Sequence, residues 1–428
     1  MADLSRLGPH GQQILAEARD AFGSDDAAKV RGVLSRYPAL KAVINEPIGP
    51  FDSPVIIHVK NPAMLDALLD AGADINARSQ WWAGGFGLLD WAPPDVAAYA
   101  LERGAMLTIH AAARLNLVEQ VKAFIARDPA LVHARGGDGQ TPLHMASTVD
   151  AADALLDAGA DIDARDVDHE STPAQYMLGA RQEVAAHLVE RGCATDVLMT
   201  AALGDLARTR HHLDVDPACI GTRVDGQWFP MTNPKAGGTI YNWTLESHAS
   251  AHQVAKRFNH VDVLQLLFER TDPVWRVAEA CLIEDAETAR SFRAAVPSFA
   301  EALSPAQRQL IAHAARNNRT IAVSLMLECG WPVDARGQHE GTPLHWAGFH
   351  GNAEMTREIL RCHPTLEVTD RDFKAPPLGW TMYGSEHGWY VSSGKHAEVI
   401  ELLLDAGASR PTAISGSAAV REVLERRL

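Results

Sequence analysis

The string Thr-Pro-Leu-His stands twice in this chain, as Thr141-Pro142-Leu143-His144 and as Thr342-Pro343-Leu344-His345. Each residue type has a physical job. A threonine hydroxyl caps a helix N-terminus, and proline suits the first helical position, where a missing N–H costs nothing. Leucine begins an apolar face. Histidine donates and accepts at once, so it can tie a helix start to a neighbouring loop. A chain that repeats its helix starts is built from repeated units, and that restricts its fold more than any bulk property does.

Helix ends recur as well. Leu68-Leu69-Asp70-Ala71-Gly72-Ala73-Asp74 returns as LLDAGADIDARD (155–166), LVERGCATD (188–196) and LLLDAGASR (402–410), with weaker forms at 101–107 and 326–336. The glycine falls just past the helix, where a left-handed residue is wanted and a side chain is costly. A second type of ending, Arg-Asp-Pro-Ala-Leu-Val at 127–132, has relatives at 215–219 and 362–366. A spacing near 33 residues marks stacked helix–turn–helix units.

These starts and endings resemble ankyrin repeats over nearly the whole chain. The resemblance implies an all-α solenoid of about twelve units. Each would have two antiparallel helices and a β-turn finger, with first helices and fingers lining a concave groove. Expected boundaries are an N-terminal capping pair at 1–48 and repeats, several shortened, at 49–225. A loop insertion plus a repeat with an extended first helix or turn would occupy 226–272. Further repeats fill 273–411, with an insertion at 381–394, and a capping helix closes the chain at 412–428.

The departures from the repeat are where function is expected. In an ordinary unit Trp346 precedes Asn352 by six positions, whereas Trp380 precedes His396 by sixteen and Trp243 precedes His260 by seventeen. Both long intervals open with Trp-Thr and carry a carboxylate near histidine: Glu246 with His248 and His252, and Glu386 with His387. The expectation is two equivalent insertions projecting from one side. Gly- and Pro-rich residues 226–238 read as a loop to which Trp228 and Phe229 give apolar mass. Trp91, Trp243, Trp346 and Trp380 fall directly after the Thr-Pro-Leu-His position or its equivalent, and Trp81-Trp82 fall at a finger tip. Together with Trp228, Tyr241, Phe349, Tyr383 and Trp389 they are the candidate ligand- or partner-binding set, since aromatic concavities are the usual form of such sites.

Acid–base chemistry would draw on Glu246, His248, His252, Glu386 and His387. On a helix His248 and His252 would share a face, but Ala249 stands where a zinc-protease motif needs glutamate. Neither a metal nor a cofactor is therefore expected. His144 and His345 are assigned to the repeats' own hydrogen bonds. Asp166-Val167-Asp168-His169-Glu170 reads as an exposed turn.

Composition bounds the partners. With 39 basic against 54 acidic residues the formal charge is −15, which repels phosphate backbones and excludes nucleic acid as the expected partner. Five scattered cysteines without a C-x-x-C pair, no signal-peptide segment and no membrane-length apolar run point to a cytoplasmic protein. The resemblance makes a protein partner with a neutral or basic surface the first expectation. The alternative is a small-molecule-binding or catalytic protein with an aromatic pocket built by the insertions.

Overall fold

The computed structural model describes residues 4–8 and 10–427. Among them regular structure is helical, and β pairing is limited to three isolated bridges, Gly49↔Ser53, Arg78↔Gly87 and Arg223↔Ser250. Each bridge closes the base of a finger. The chain forms two compact units. Of the described residues, one holds those up to 199 and 224–246, the other 200–223 and 247–427.

Helices come in pairs, and the sequence rule for their starts is wider than Thr-Pro-Leu-His. At Thr342 the backbone N–H donates to His345 Nδ1 at 3.1 Å while His345 Nε2 bonds the Ala375 carbonyl at 3.1 Å. Thr141, His144 and Ser171 repeat the arrangement. The imidazole thus closes its own helix cap and holds the next finger, as expected. Glutamine does the capping half of this at Thr172/Gln175, Ser250/Gln253 and Ser304/Gln307. An amide oxygen accepts the same N–H, so the fourth position takes either residue. Second helices such as Pro62–Asp70, Val149–Leu156 and Gln182–Glu190 run out to Gly72, Gly159 and Gly192, all at positive φ.

The first unit begins with the pair Gly11–Gly23 and Ala27–Arg36, the latter capped by Asp26. Several of its first helices are single turns: Leu88–Trp91, Pro142–Met145 and Pro173–Met177. Pro93-Pro94 ends the first of these, since proline cannot follow in a helix interior. The second unit has longer first helices, Pro305–Arg316, Pro343–His350 and Pro377–His387, and ends with Ala418–Arg426.

The two long intervals are not equivalent. Between Trp380 and His396 the first helix runs on to His387, and a loop then returns to His396–Asp405. Between Trp243 and His260 there is no extended helix. Asn242–Glu246 is a single π turn, Glu246 and His248 take positive φ, and Ser250 caps a separate helix, Ala251–Arg257. The extra residues therefore lie in the finger between Arg223 and Ser250, and residues 224–246 fold with the first unit. There they imitate a repeat start: Gly238-Thr239-Ile240-Tyr241-Asn242-Trp243 parallels Gly341-Thr342-Pro343-Leu344-His345-Trp346. The imitation lies against the helix Pro173–Met177.

Candidate functional site

Backbone contact builds the site. A Cβ at Gly348 would lie 2.3 Å from Thr381 Oγ1, and one at Gly384 would lie 2.3 Å from the Phe349 carbonyl oxygen. The helices Pro343–His350 and Pro377–His387 thus touch main chain to main chain. That approach brings the rings of Trp346 and Trp380 to 5.0 Å at 84°, an edge-to-face geometry. Both are buried, and Trp380 Nε1 donates to Asp370 Oδ2 at 2.9 Å.

The extra residues close one side. Trp389 lies 6.0 Å from Trp346 and 5.6 Å from Phe349. The Arg316 guanidinium sits 5.8 Å over Trp346 and 5.2 Å over Trp389, a shared cation–π contact. The loop is pinned at its return by Lys395 N–H to the Gly351 carbonyl, 2.8 Å, and by Tyr390 against His350. The finger supplies the other side. Phe373 packs 5.9 Å from Trp380, and His339 Nδ1 pairs with Asp372 Oδ2 at 2.6 Å. Arg371 and then His339 hold the Asp372 carboxyl down at about 2.

The result is a cavity of about 420 Å³ lined by Trp346, Phe349, Trp380, Tyr383 and Trp389, together with His339, Phe373 and His387. Tyr383 (60% exposed), Trp389 (58%) and Phe373 (66%) stand at its rim, where an isolated chain would be expected to bury them. Trp346 Nε1 and His350 Nδ1 are buried without a hydrogen-bond partner. Burial pushes the His350 imidazole down to about 4. The cavity is an aromatic box, and the Arg316 guanidinium stacks on two of the tryptophans that line it.

The remaining sequence candidates scatter. Glu386 turns away to Arg421 at 3.6 Å, and His387 packs against Tyr383 at 4.6 Å. His248 precedes the Ser250 cap and stacks on His313 at 3.8 Å, so it shares no helix face with His252. His252 is fully buried. Its Nε2 bonds Thr271 Oγ1 at 2.9 Å, and its Nδ1 lies 3.8 Å from Glu279, which also accepts from Arg223 and Ser250. Burial lowers its pKa, and its role is structural. Glu246 sits at φ 94° where the π turn ends. Tyr241 belongs to the core, fully buried with its hydroxyl donating to Asp196 Oδ2 at 2.8 Å.

In the first unit Trp81, Trp82 and Trp91 form a second aromatic cluster with Phe51 and Phe86; Phe51 stacks on Trp91 at 6.1 Å. Trp228 lines a cavity of about 440 Å³ with Phe229, Gln175 and His169, and Trp243 packs 4.8 Å from His169. Sequence reasoning missed His339 and Phe373. The signal available was their place in a finger, next to units already rich in tryptophan.

The ankyrin-repeat family model matches residues 138–167, one finger and the helix pair it opens. The serine/threonine-protein kinase VIK of Arabidopsis thaliana is 36% identical over 93 residues, 21% of this chain and 20% of that protein. The chain thus spans about a fifth of that relative's length. Among solved structures, the human ASB11 ankyrin repeat domain is matched over its whole length and 72% of this chain, at 18% identity and a TM-score of 0.29. Among the described residues no helix is long and apolar enough to cross a membrane. Both Thr-Pro-Leu-His strings cap a helix and bond the following finger, and the family match falls on one of them: residues 138–167 of this chain are an ankyrin repeat.

Proposed function

We propose that this chain is a binding protein for a protein partner, and that the aromatic cavity of the second unit is the centre of the contact. The observation that carries the reading is convergence. Five aromatics of the candidate binding set read from the sequence line one cavity, beside two finger residues. Ankyrin repeats are generally protein-interaction modules, and interface energy concentrates in aromatic and arginine anchors surrounded by drier contacts. Three rim aromatics are already exposed and would be covered by the partner. The overall charge of −15 favours a neutral or basic partner surface.

The test compares affinity capture by the wild-type chain, Trp389→Ala, Tyr383→Ala and, as control, Trp91→Ala. A partner retained by wild type and Trp91→Ala but lost from the two cavity variants is expected. An identical set from all four chains would contradict the reading.

A second reading, small-molecule binding, has its own support in the cavity's size, which is in the range of ligand pockets. Native mass spectrometry of the purified protein separates the two: a retained small molecule that Trp380→Ala releases would favour the second. Acid–base catalysis has little support, because His387 alone of the five candidates lines the cavity.

A further inference from the structure

Away from that cavity, the fingers of the first unit bring three acceptor groups to one point. Asp138 takes φ 53° in the finger Gly137–Gly139, and its carbonyl accepts from both Val167 N–H (2.8 Å) and Asp168 N–H (3.2 Å). The next finger is in turn bonded to the inserted segment through Gly237 N–H to the Asp168 carbonyl at 2.9 Å. These backbone bonds fix where the side chains of Asp138, Asp168 and His169 meet.

The histidine tautomer follows from its partner. His169 Nδ1 lies 2.8 Å from the Gly238 carbonyl oxygen. A carbonyl only accepts, so Nδ1 carries the hydrogen and Nε2 of the neutral ring presents a lone pair. This is how a metal-ligating histidine is usually held, with its second nitrogen oriented by an acceptor. Nε2 faces Asp168 Oδ2 at 3.8 Å and Asp138 Oδ2 at 3.9 Å. Both are beyond hydrogen-bond range, nearly equal, and not the ~2.8 Å of an imidazolium that has closed on one carboxylate. One donor atom from each residue lies within 4.8 Å of the others.

Neighbouring groups do not account for the arrangement. Asp166 is fully engaged by His169 N–H, Ser171 N–H and Tyr176. Glu170 is taken by Thr232 and Asn233. Asp168 uses only Oδ1, on Gly237 N–H at 3.1 Å. Asp138 is buried, with its side chain 11% exposed, and its Oδ1 has no hydrogen-bond partner, although the Trp81 indole N–H faces it. Two buried carboxylates and an imidazole lone pair converge on one point.

We propose that Asp138, Asp168 and His169 form a binding site for one divalent transition-metal ion of the manganese-to-zinc kind. The imidazole favours a transition ion over calcium or magnesium, and two carboxylates neutralise the double charge. Donors about 2.0–2.2 Å from an ion stand roughly 3.0–3.5 Å apart, so binding draws the three side chains together by up to about 1 Å from their present spacing. The ion ties the finger at 136–140 to the finger at 166–171 and, through His169 and Gly238, to the inserted segment. Remaining positions fall to water or a ligand oxygen.

The experiment uses the full chain, freed of metal with a chelator, and titrates Zn²⁺, Mn²⁺ and Ca²⁺ separately by calorimetry, alongside thermal melting. Wild type is expected to bind one Zn²⁺ or Mn²⁺ per chain more tightly than any other class of site, and its Tm to rise with the metal. Asp138→Asn and Asp168→Asn should weaken that one site at least tenfold. They should also abolish the Tm response while leaving the metal-free Tm unchanged or higher, because a buried repulsion is removed. Equal zinc binding by wild type and both variants would overturn the site, as would preference for Ca²⁺. So would a metal-free Tm that falls in both variants with no metal response in wild type, the outcome for an ordinary ion pair.

Discussion

A methyl group added at Gly384 would meet the Phe349 carbonyl oxygen at 2.3 Å, and main chain cannot swing aside as a flexible side chain can. Gly384→Ala should therefore push Pro377–His387 off Pro343–His350 and cost about 1–3 kcal/mol, read as a lower Tm. Widening the gap between Trp346 and Trp380 should also weaken binding at the cavity. Histidine burial makes a second residue-level prediction. Burial holds His144 at about 3 and His345 and His350 at about 4, against 6.5 in the unfolded chain. Their contribution is complete above pH 6.5 and is lost as pH falls toward those values, since only the unfolded chain takes up the protons. Each histidine removes about 1.4 kcal/mol per pH unit in that window. Asp138 and Asp166, which burial pushes up, act in the opposite sense. Denaturant midpoints should drop between pH 6.5 and 4.5; a flat profile would contradict the neutral-imidazole assignment.

At the scale of elements, the helix Ala251–Arg257 depends on a buried ion pair. Arg223 (6% exposed) and Glu279 (2%) pair beneath Trp275, whose ring lies 5.0 Å from the guanidinium. Burial raises the Glu279 pKa, but Arg223, His252 and Ser250 outweigh it and keep it ionised. Glu279→Gln strands the arginine charge and should cost about 3–5 kcal/mol in chemical denaturation. The sequence made the repeats legible because caps and glycine endings are local: Thr342, His345 and Gly72 act within a few residues of themselves. It was less informative about the inserted segment. Trp243 and Trp380 share a local pattern, yet one opens an extended helix and the other a π turn. What separates them is Ser250, whose cap depends on Gln253 rather than on the histidine of the repeat pattern. Phe373 and the Asp138–Asp168–His169 cluster were illegible for a different reason, since their meaning comes from fingers about thirty residues apart in sequence.

For the whole molecule, the account is that repeats supply the frame and interruptions supply recognition. A chain at −15 should meet a basic partner faster at low ionic strength, so the association rate should fall as salt rises while dissociation changes little. Aromatic anchoring would dominate the dissociation rate instead. The most direct measurement is the Kd of the captured partner for wild type, Trp389→Ala and Tyr383→Ala, each checked for an unchanged Tm. The account predicts binding at least tenfold weaker in both variants. Wild-type affinity in both would contradict the claim that this cavity is where the protein binds.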